Sequence, residues 1–274
     1  MTDGSFGGGY NRYFHVLTGD KVPSLAPLLG TSFSAPFLLR TAVGIKAFLG
    51  DDISILAVKA LLLHCADQGS HNRFEVGWGR VPSDLSKLLL CPECSARIVY
   101  QGVLRSGTLR RMWIPLPDEP FQGMITLKAT ICIASEVDPE DSGAYTRSGV
   151  EIMFRPHIEK RQPDQHQPKT QSFFSRKEYS YEEELRSDAG KWETVLKAQR
   201  RFLYTSLNKP CFDVHYIARK NGGRRSAAHE IPYALIITIT TPSIADIGER
   251  IMAAYPSLQV LQPMVELPAI PVRT

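Results

Sequence analysis

No apolar run in this chain reaches the roughly 20 residues of a membrane-spanning helix. The apolar stretch after Ser54 is broken by Lys59 and ends at His64, so a transmembrane helix is not expected. Met1-Thr2-Asp3-Gly4-Ser5 has neither a basic leader nor an apolar core, and no signal peptide is read there. Cysteines number only five, an odd count that speaks for a reducing compartment, the cytoplasm, rather than for a disulfide scaffold. Cys91-Pro92-Glu93-Cys94 has the spacing of half a zinc site, yet no second C-x-x-C or H-x-x-H supplies the remaining ligands. Neither a metal nor another cofactor is expected. Charge of one sign is scarce as well: 32 basic and 28 acidic residues leave +4, too little to argue for nucleic acid or an anionic membrane surface as partner. The basic clusters at Arg105, Arg110 and Arg111 and at Arg219, Lys220, Arg224 and Arg225 flank glycine-bearing turns and read as solvated hairpin tips.

What is present begins with Gly30-Thr31-Ser32-Phe33-Ser34-Ala35-Pro36, a serine in a small-residue turn that opens an apolar helix. At a helix start the first N–H groups lack intrahelical partners and the macrodipole is positive, so an oxyanion formed beside Ser32 would meet ready donors. Gly30 permits a tight turn, and Pro36 is tolerated close to a helix start. Phe37, Leu38, Leu39, Ala42, Val43, Ile45, Ala47, Phe48 and Leu49 are too densely apolar for an ordinary surface helix. A plain helix cap by Thr31 or Ser32 is the competing reading of this turn.

The heptapeptide resembles the serine motif of the subtilisin-like serine proteases, the subtilases, whose pattern is close to G-T-S-x-[AS]-x-P. The following segments are similar in order and spacing: a second helix from Ile53 to about Cys65, then Phe74 to Val81 with Gly77-Trp78-Gly79 as the closing glycine element. A last helix, Pro82 to Leu90, completes the series. The resemblance covers residues 1–90 and implies the C-terminal part of a three-layer α/β domain with a parallel sheet. It also implies Ser32 as nucleophile, Gly30 and Thr31 as shapers of the turn, the Ser32 N–H as an oxyanion donor, and a polypeptide substrate.

A serine protease also needs a histidine to take the serine proton and an aspartate to orient that histidine. Before Ser32 there is no D-[ST]-G and no H-G-T-like segment; Asp3, His15 and Asp20 sit in no matching motif and read as loop residues. The resemblance therefore implies a partner, the upstream catalytic half, supplied by the same gene product or by a second chain. Without it the alternative is an inactive interaction module.

From residue 91 the pattern turns to strands: Ala96–Leu104, Thr108–Ile114, Met124–Ile133, Gly149–Phe154, Cys211–Ala218 and Tyr233–Thr240. The first two, around Arg105-Ser106-Gly107, read as a hairpin. Several short strands separated by Pro- and Gly-bearing turns predict an all-β sandwich or jelly-roll-like domain over 91–274. A polar segment at 156–177 is expected to be a mobile loop, and Tyr181 to Leu203 reads equally as helix or strand. Ser243-Ile244-Ala245-Asp246 has the form of a capping box opening a helix to about Ala254. Asp213 and His215 share one strand face, expected to be solvated, and neither they nor His229-Glu230 are assigned a site.

Overall fold

The computed structural model of the chain describes residues 14–19, 21–28, 30–117, 119, 121–137, 139, 145–161, 168–174, 193–218 and 230–259. Asp3, Asp20, His229, the cluster from Arg219 to Arg225 and the stretch from Tyr181 to Trp192 lie outside the described residues, as does the centre of the polar segment. The chain divides into two compact units. One comprises described residues within 1–52 and 65–89, the other those within 53–64 and 90–261.

The first unit opens with a two-stranded antiparallel ribbon, β1 (Phe14–Leu17) and β2 (Leu25–Leu28), which pairs His15 with Pro27 and Val16 with Ala26. Helix α1 (Thr31–Leu49) follows. It ends because Gly50 turns away at φ 66°, its N–H donating to the Lys46 carbonyl while Lys46 Nζ reaches the Gly50 carbonyl at 2.8 Å. Only Thr41, Ile45 and Leu49 of α1 are buried, a single stripe at four-residue spacing. Two short helices, α3 (Arg73–Val76) and α4 (Leu85–Leu89), complete this unit. The segment from Phe74 to Val81 thus begins in a helical turn, and the last helix is shorter than Pro82 to Leu90. Asp84 starts it, its carboxylate accepting the Ser86 N–H at 2.9 Å.

In the second unit, α2 (Ile55–Cys65) joins two antiparallel sheets. The four-stranded sheet has the order β3 (Ser95–Arg105), β9 (Glu230–Thr240), β5 (Met124–Ile133), β7 (Val195–Leu203). The three-stranded sheet runs β4 (Leu109–Trp113), β8 (Cys211–Ala218), β6 (Ser148–Arg155). Alternation explains their faces: Leu127, Ile131, Leu235, Ile237, Ile239 and Phe202 from one sheet and Met112, Val150, Phe154, Phe212 and Val214 from the other belong to a single buried cluster. Phe154 lies at its centre, with ring centroids 5.2–5.3 Å from Phe173, Phe202 and Phe212. Each fully buried side chain of this size contributes about 1.5–3 kcal/mol. This is the sandwich expected from the strand pattern. A helix α5 (Ile247–Ala254) buries Ile247 and Ile251.

Several expectations change. β3 and β4 are not a hairpin pair: β3 pairs with β9 and β4 with β8, so the turn at Arg105–Thr108 hands the chain from one sheet to the other. The residues from Val195 are strand, because Leu196 and Phe202 face the core. The polar segment is anchored at its edges: the Lys169 N–H donates to the Lys160 carbonyl, the Gln171 N–H to the Phe154 carbonyl, and Phe173 enters the core. The Ser243 capping box does not start α5; Asp246 stands at its N-terminus and makes no side-chain cap. No parallel pair of named strands occurs among the described residues, so the α/β layer implied for 1–90 is not seen there.

Candidate functional site

Ser32 is the second residue of α1 and is exposed, as is Thr31. Gly30 precedes the helix with an extended backbone at φ 163°, and no side chain caps the helix N-terminus. The cap reading of Thr31 and Ser32 is therefore not what the geometry contains. The Phe33 N–H donates to the Gly30 carbonyl at 3.1 Å. Pro36 plays a different part from the one its nearness to the helix start suggested. Because the helix already begins at Thr31, Pro36 falls beyond the unpaired donors of the first turn. Its missing N–H would have bonded the carbonyl four residues back, so the Ser32 carbonyl loses its helical donor.

The ribbon reaches this turn through Phe14, whose ring lies 5.9 Å from that of Phe33. His15, expected in a loop, lies on β1 instead; it is exposed, and alternation puts it on the other face from Phe14. Among the described residues no histidine hydrogen-bonds Ser32.

The closing glycine element has a structural cause. Asp67 and Arg80 form a two-bond antiparallel bridge, at 2.9 and 2.8 Å. Gly79, at φ 95°, lets the Asp67 backbone pass so close that a Cβ would stand 2.1 Å from its carbonyl oxygen.

The second unit carries two buried polar constellations that the strand pattern did not reveal. Asp213 on β8 is fully buried, which corrects the solvated face expected for it. Arg111 of β4 grips it in a fork, Nε to Oδ1 at 2.7 Å and Nη2 to Oδ2 at 2.9 Å, and Arg155 Nε of β6 donates to Oδ2 at 2.6 Å. Arg155 also donates to the Pro168 carbonyl. Burial alone would raise the Asp213 pKa, but the hydrogen bonds from Arg111 and Arg155 overcome it and hold the carboxyl below its ordinary value. Arg111 is thus an ion-pair partner rather than a free hairpin-tip charge. With its carboxylate engaged by two guanidiniums, Asp213 is a poor metal ligand, and no metal-binding cluster exists among the described residues.

His64, in the last turn of α2, is the other. It is 1% exposed and bridges two strands, Nδ1 lying 2.9 Å from Thr130 Oγ1 on β5 and Nε2 2.8 Å from Thr238 Oγ1 on β9. Desolvation first, then Lys128, Arg97 and Lys197, hold its pKa well below the usual range, so the ring is neutral. The signals were a histidine ending a largely apolar helix and threonines in mid-strand. All five cysteines are free thiols. Burial pushes Cys132 up to about 12 and Cys211 up to about 11, which makes both inert.

No protein-family model matches the sequence, and no curated protein matches it. Among solved structures, the VP2 subviral particle of infectious bursal disease virus is similar at 8% identity and a TM-score of 0.29, over 53% of this chain and 32% of that one. A structure of the Gt strain of the same virus gives 5% identity and a TM-score of 0.23, over 57% and 30%. The chain thus spans about a third of the proteins it matches.

By length and composition one helix, Thr31–Asp52, is apolar enough to cross a membrane, with a mean hydropathy of 1.2 over 18 of its residues, which differs from the expectation drawn from the apolar runs. It carries Arg40, Lys46, Asp51 and Asp52 in its span.

Proposed function

We propose that this chain is the serine-bearing portion of a subtilisin-like serine endopeptidase, with Ser32 as its nucleophile. The observation that carries the reading is the setting of Ser32: exposed on the first turn of a 19-residue helix whose N-terminal donors no side chain caps. Ser32 Oγ attacks the peptide carbonyl, a histidine takes its proton, and the tetrahedral oxyanion forms beside the Ser32 N–H. Collapse, with the histidine returning that proton to the leaving nitrogen, expels the amine and leaves an acyl-enzyme, which water hydrolyses with the histidine again acting as base. The histidine and the aspartate that orients it come from polypeptide beyond these 274 residues, upstream in the same gene product or in a second chain. In this reading α1 is the nucleophile helix of an α/β domain whose parallel strands cover Phe37, Leu38, Leu39 and Val43, all exposed here. The sandwich of the second unit is in this reading an accessory domain that influences stability or protein-substrate choice. The free thiols fit a cytoplasmic setting.

A fluorophosphonate probe followed by intact mass spectrometry tests this. The 274-residue chain alone is expected to resist labelling and to hydrolyse no peptide at a useful rate, since a site without its triad partners retains only about 10³–10⁴-fold catalysis over water. Co-expressed with the polypeptide encoded in frame upstream, or by a neighbouring gene bearing D-[ST]-G and H-G-T segments, Ser32 should label stoichiometrically and Ser32→Ala should not. An unlabelled Ser32 in that assembly overturns the proposal. A binding module is the second reading, favoured because no described histidine engages Ser32; a stop codon upstream with no such neighbouring gene supports it.

A further inference from the structure

Helix α2 meets the four-stranded sheet through hydrogen bonds to all four of its strands. The Ser54 N–H at the head of α2 donates to Gln101 Oε1 of β3 at 2.8 Å. At its tail, Lys197 Nζ of β7 donates to the Leu63 carbonyl at 2.8 Å, and His64 takes Thr130 of β5 and Thr238 of β9. Between these ends Ala57, Val58, Ala60, Leu61 and Leu62 are buried, and outward-facing sheet residues Thr130, Cys132, Ala234 and Ile236 are fully buried too. The helix is therefore a third layer on the outer face of the sandwich, and the imidazole is the only side chain of α2 that spans two strands of it among the described residues.

We propose that His64 is an acid-sensitive latch: the neutral imidazole locks α2 across β5 and β9, and proton uptake by its ring releases the helix from the sheet. In the neutral ring one nitrogen donates and the other accepts, a match for two hydroxyls that can each do either. The imidazolium can only donate. Thr238 Oγ1 already lies 3.4 Å from Arg97 Nε, so it would have to accept from two cations at once. The charged groups acting on the ring come from three of the four strands and are all positive: Arg97 of β3, Lys128 of β5 and Lys197 of β7. The remaining strand, β9, presents the uncharged Thr238. An imidazolium would add a fourth positive charge to the three that already act on the ring. Since the folded ring holds its proton less tightly than the free one, docking is complete above the ordinary histidine value of 6.5 and is lost as pH falls below it towards the depressed folded value.

Amide hydrogen exchange of the full chain, corrected for intrinsic rates, reads the latch directly. Between pH 7.5 and 5 the opening constant of the α2 amides should rise by up to about tenfold per pH unit below 6.5, while His64→Gln should leave it flat. Protection in α2 that does not change with pH in the wild type, or the same slope in His64→Gln, overturns the latch. Should that variant not fold, the wild-type imidazole is titrated by NMR beside the exchange series. Loss of α2 protection that tracks His64 protonation supports the latch, and loss at a different pH overturns it.

Discussion

Helices α1 and α2 are neighbours in sequence and both are rich in apolar residues, yet their fates are opposite. In α2, six of 11 residues are buried; in α1, three of 19. The difference is in the cover. The sheet that takes α2 is described and complete, with a polar anchor on every strand, whereas the wide apolar side of α1 holds Phe37, Leu39 and Val43 at 49%, 64% and 58% exposure. An apolar helix is a demand for a partner surface, and only one of these two demands is met among the described residues.

The sharpest test of that contrast pairs a core phenylalanine with one on α1. Phe212 is fully buried amid Phe154, Phe173 and Phe174, so Phe212→Ala should cost about 3–5 kcal/mol in chemical denaturation of the sandwich. Phe37→Ala should leave that transition in place and reduce self-association in light scattering. If both cost the same, α1 is covered in solution and the contrast fails.

Asp213→Asn comes next. It leaves the Arg155 guanidinium, itself buried, facing a neutral amide, and breaking a buried ion pair costs about 3–5 kcal/mol. The wild-type carboxyl titrates below its ordinary 3.8, so its stabilisation is full above that value and is lost as pH falls through the lowered folded value. Acid denaturation of the variant should lack this component. The exposed pair Arg105–Glu230 is the control, with Glu230→Gln changing stability by no more than about 1 kcal/mol.

Period and turn chemistry made much of the second unit legible. Met124–Ile133 and Cys211–Ala218 are strands over the span their alternation predicts. Pairing was not legible, because it is non-local: β3 finds its partner in β9, with Ile98 opposite Ile237. Alternation also tells which residues share a face and not what covers that face, which is why Asp213 read as solvated. At the serine turn the helix start was legible in Gly30-Thr31-Ser32, but Pro36 was misjudged because its meaning depends on which residue begins the helix. His64 escaped notice since its partners stand 66 and 174 residues away.

Within the first unit the bridge beside Gly79 sets a smaller test. Gly79→Ala forces a Cβ against the Asp67 carbonyl and should cost more than about 1 kcal/mol, read as lost exchange protection at the Asp67 and Arg80 amides. Gly77, at φ 60° with open space around its Cβ position, tolerates Asn better, and Gly77→Asn should retain that protection.

The smallest expected effect bears most directly on α1. Leu39 is 64% exposed, while Ile45 on the same helix is fully buried. If the outer side of α1 is open in solution, Leu39→Gln removes apolar surface that water already reaches. It should then change exchange protection of the α1 amides by no more than about 0.5 kcal/mol, as surface substitutions do. Ile45→Ala in the same helix should cost about 2–5 kcal/mol. Equal losses would mean that a surface lies over Leu39 in the isolated chain and that α1 and α2 differ less than their burial says. If the proposed catalytic partner with its parallel strands binds α1, Leu39→Gln should become costly and weaken assembly, because a buried amide side chain without partners is then held against apolar residues. A Leu39→Gln chain that assembled as tightly as the wild type would remove α1 from that interface, and with it the physical reason for placing Ser32 in an α/β catalytic domain.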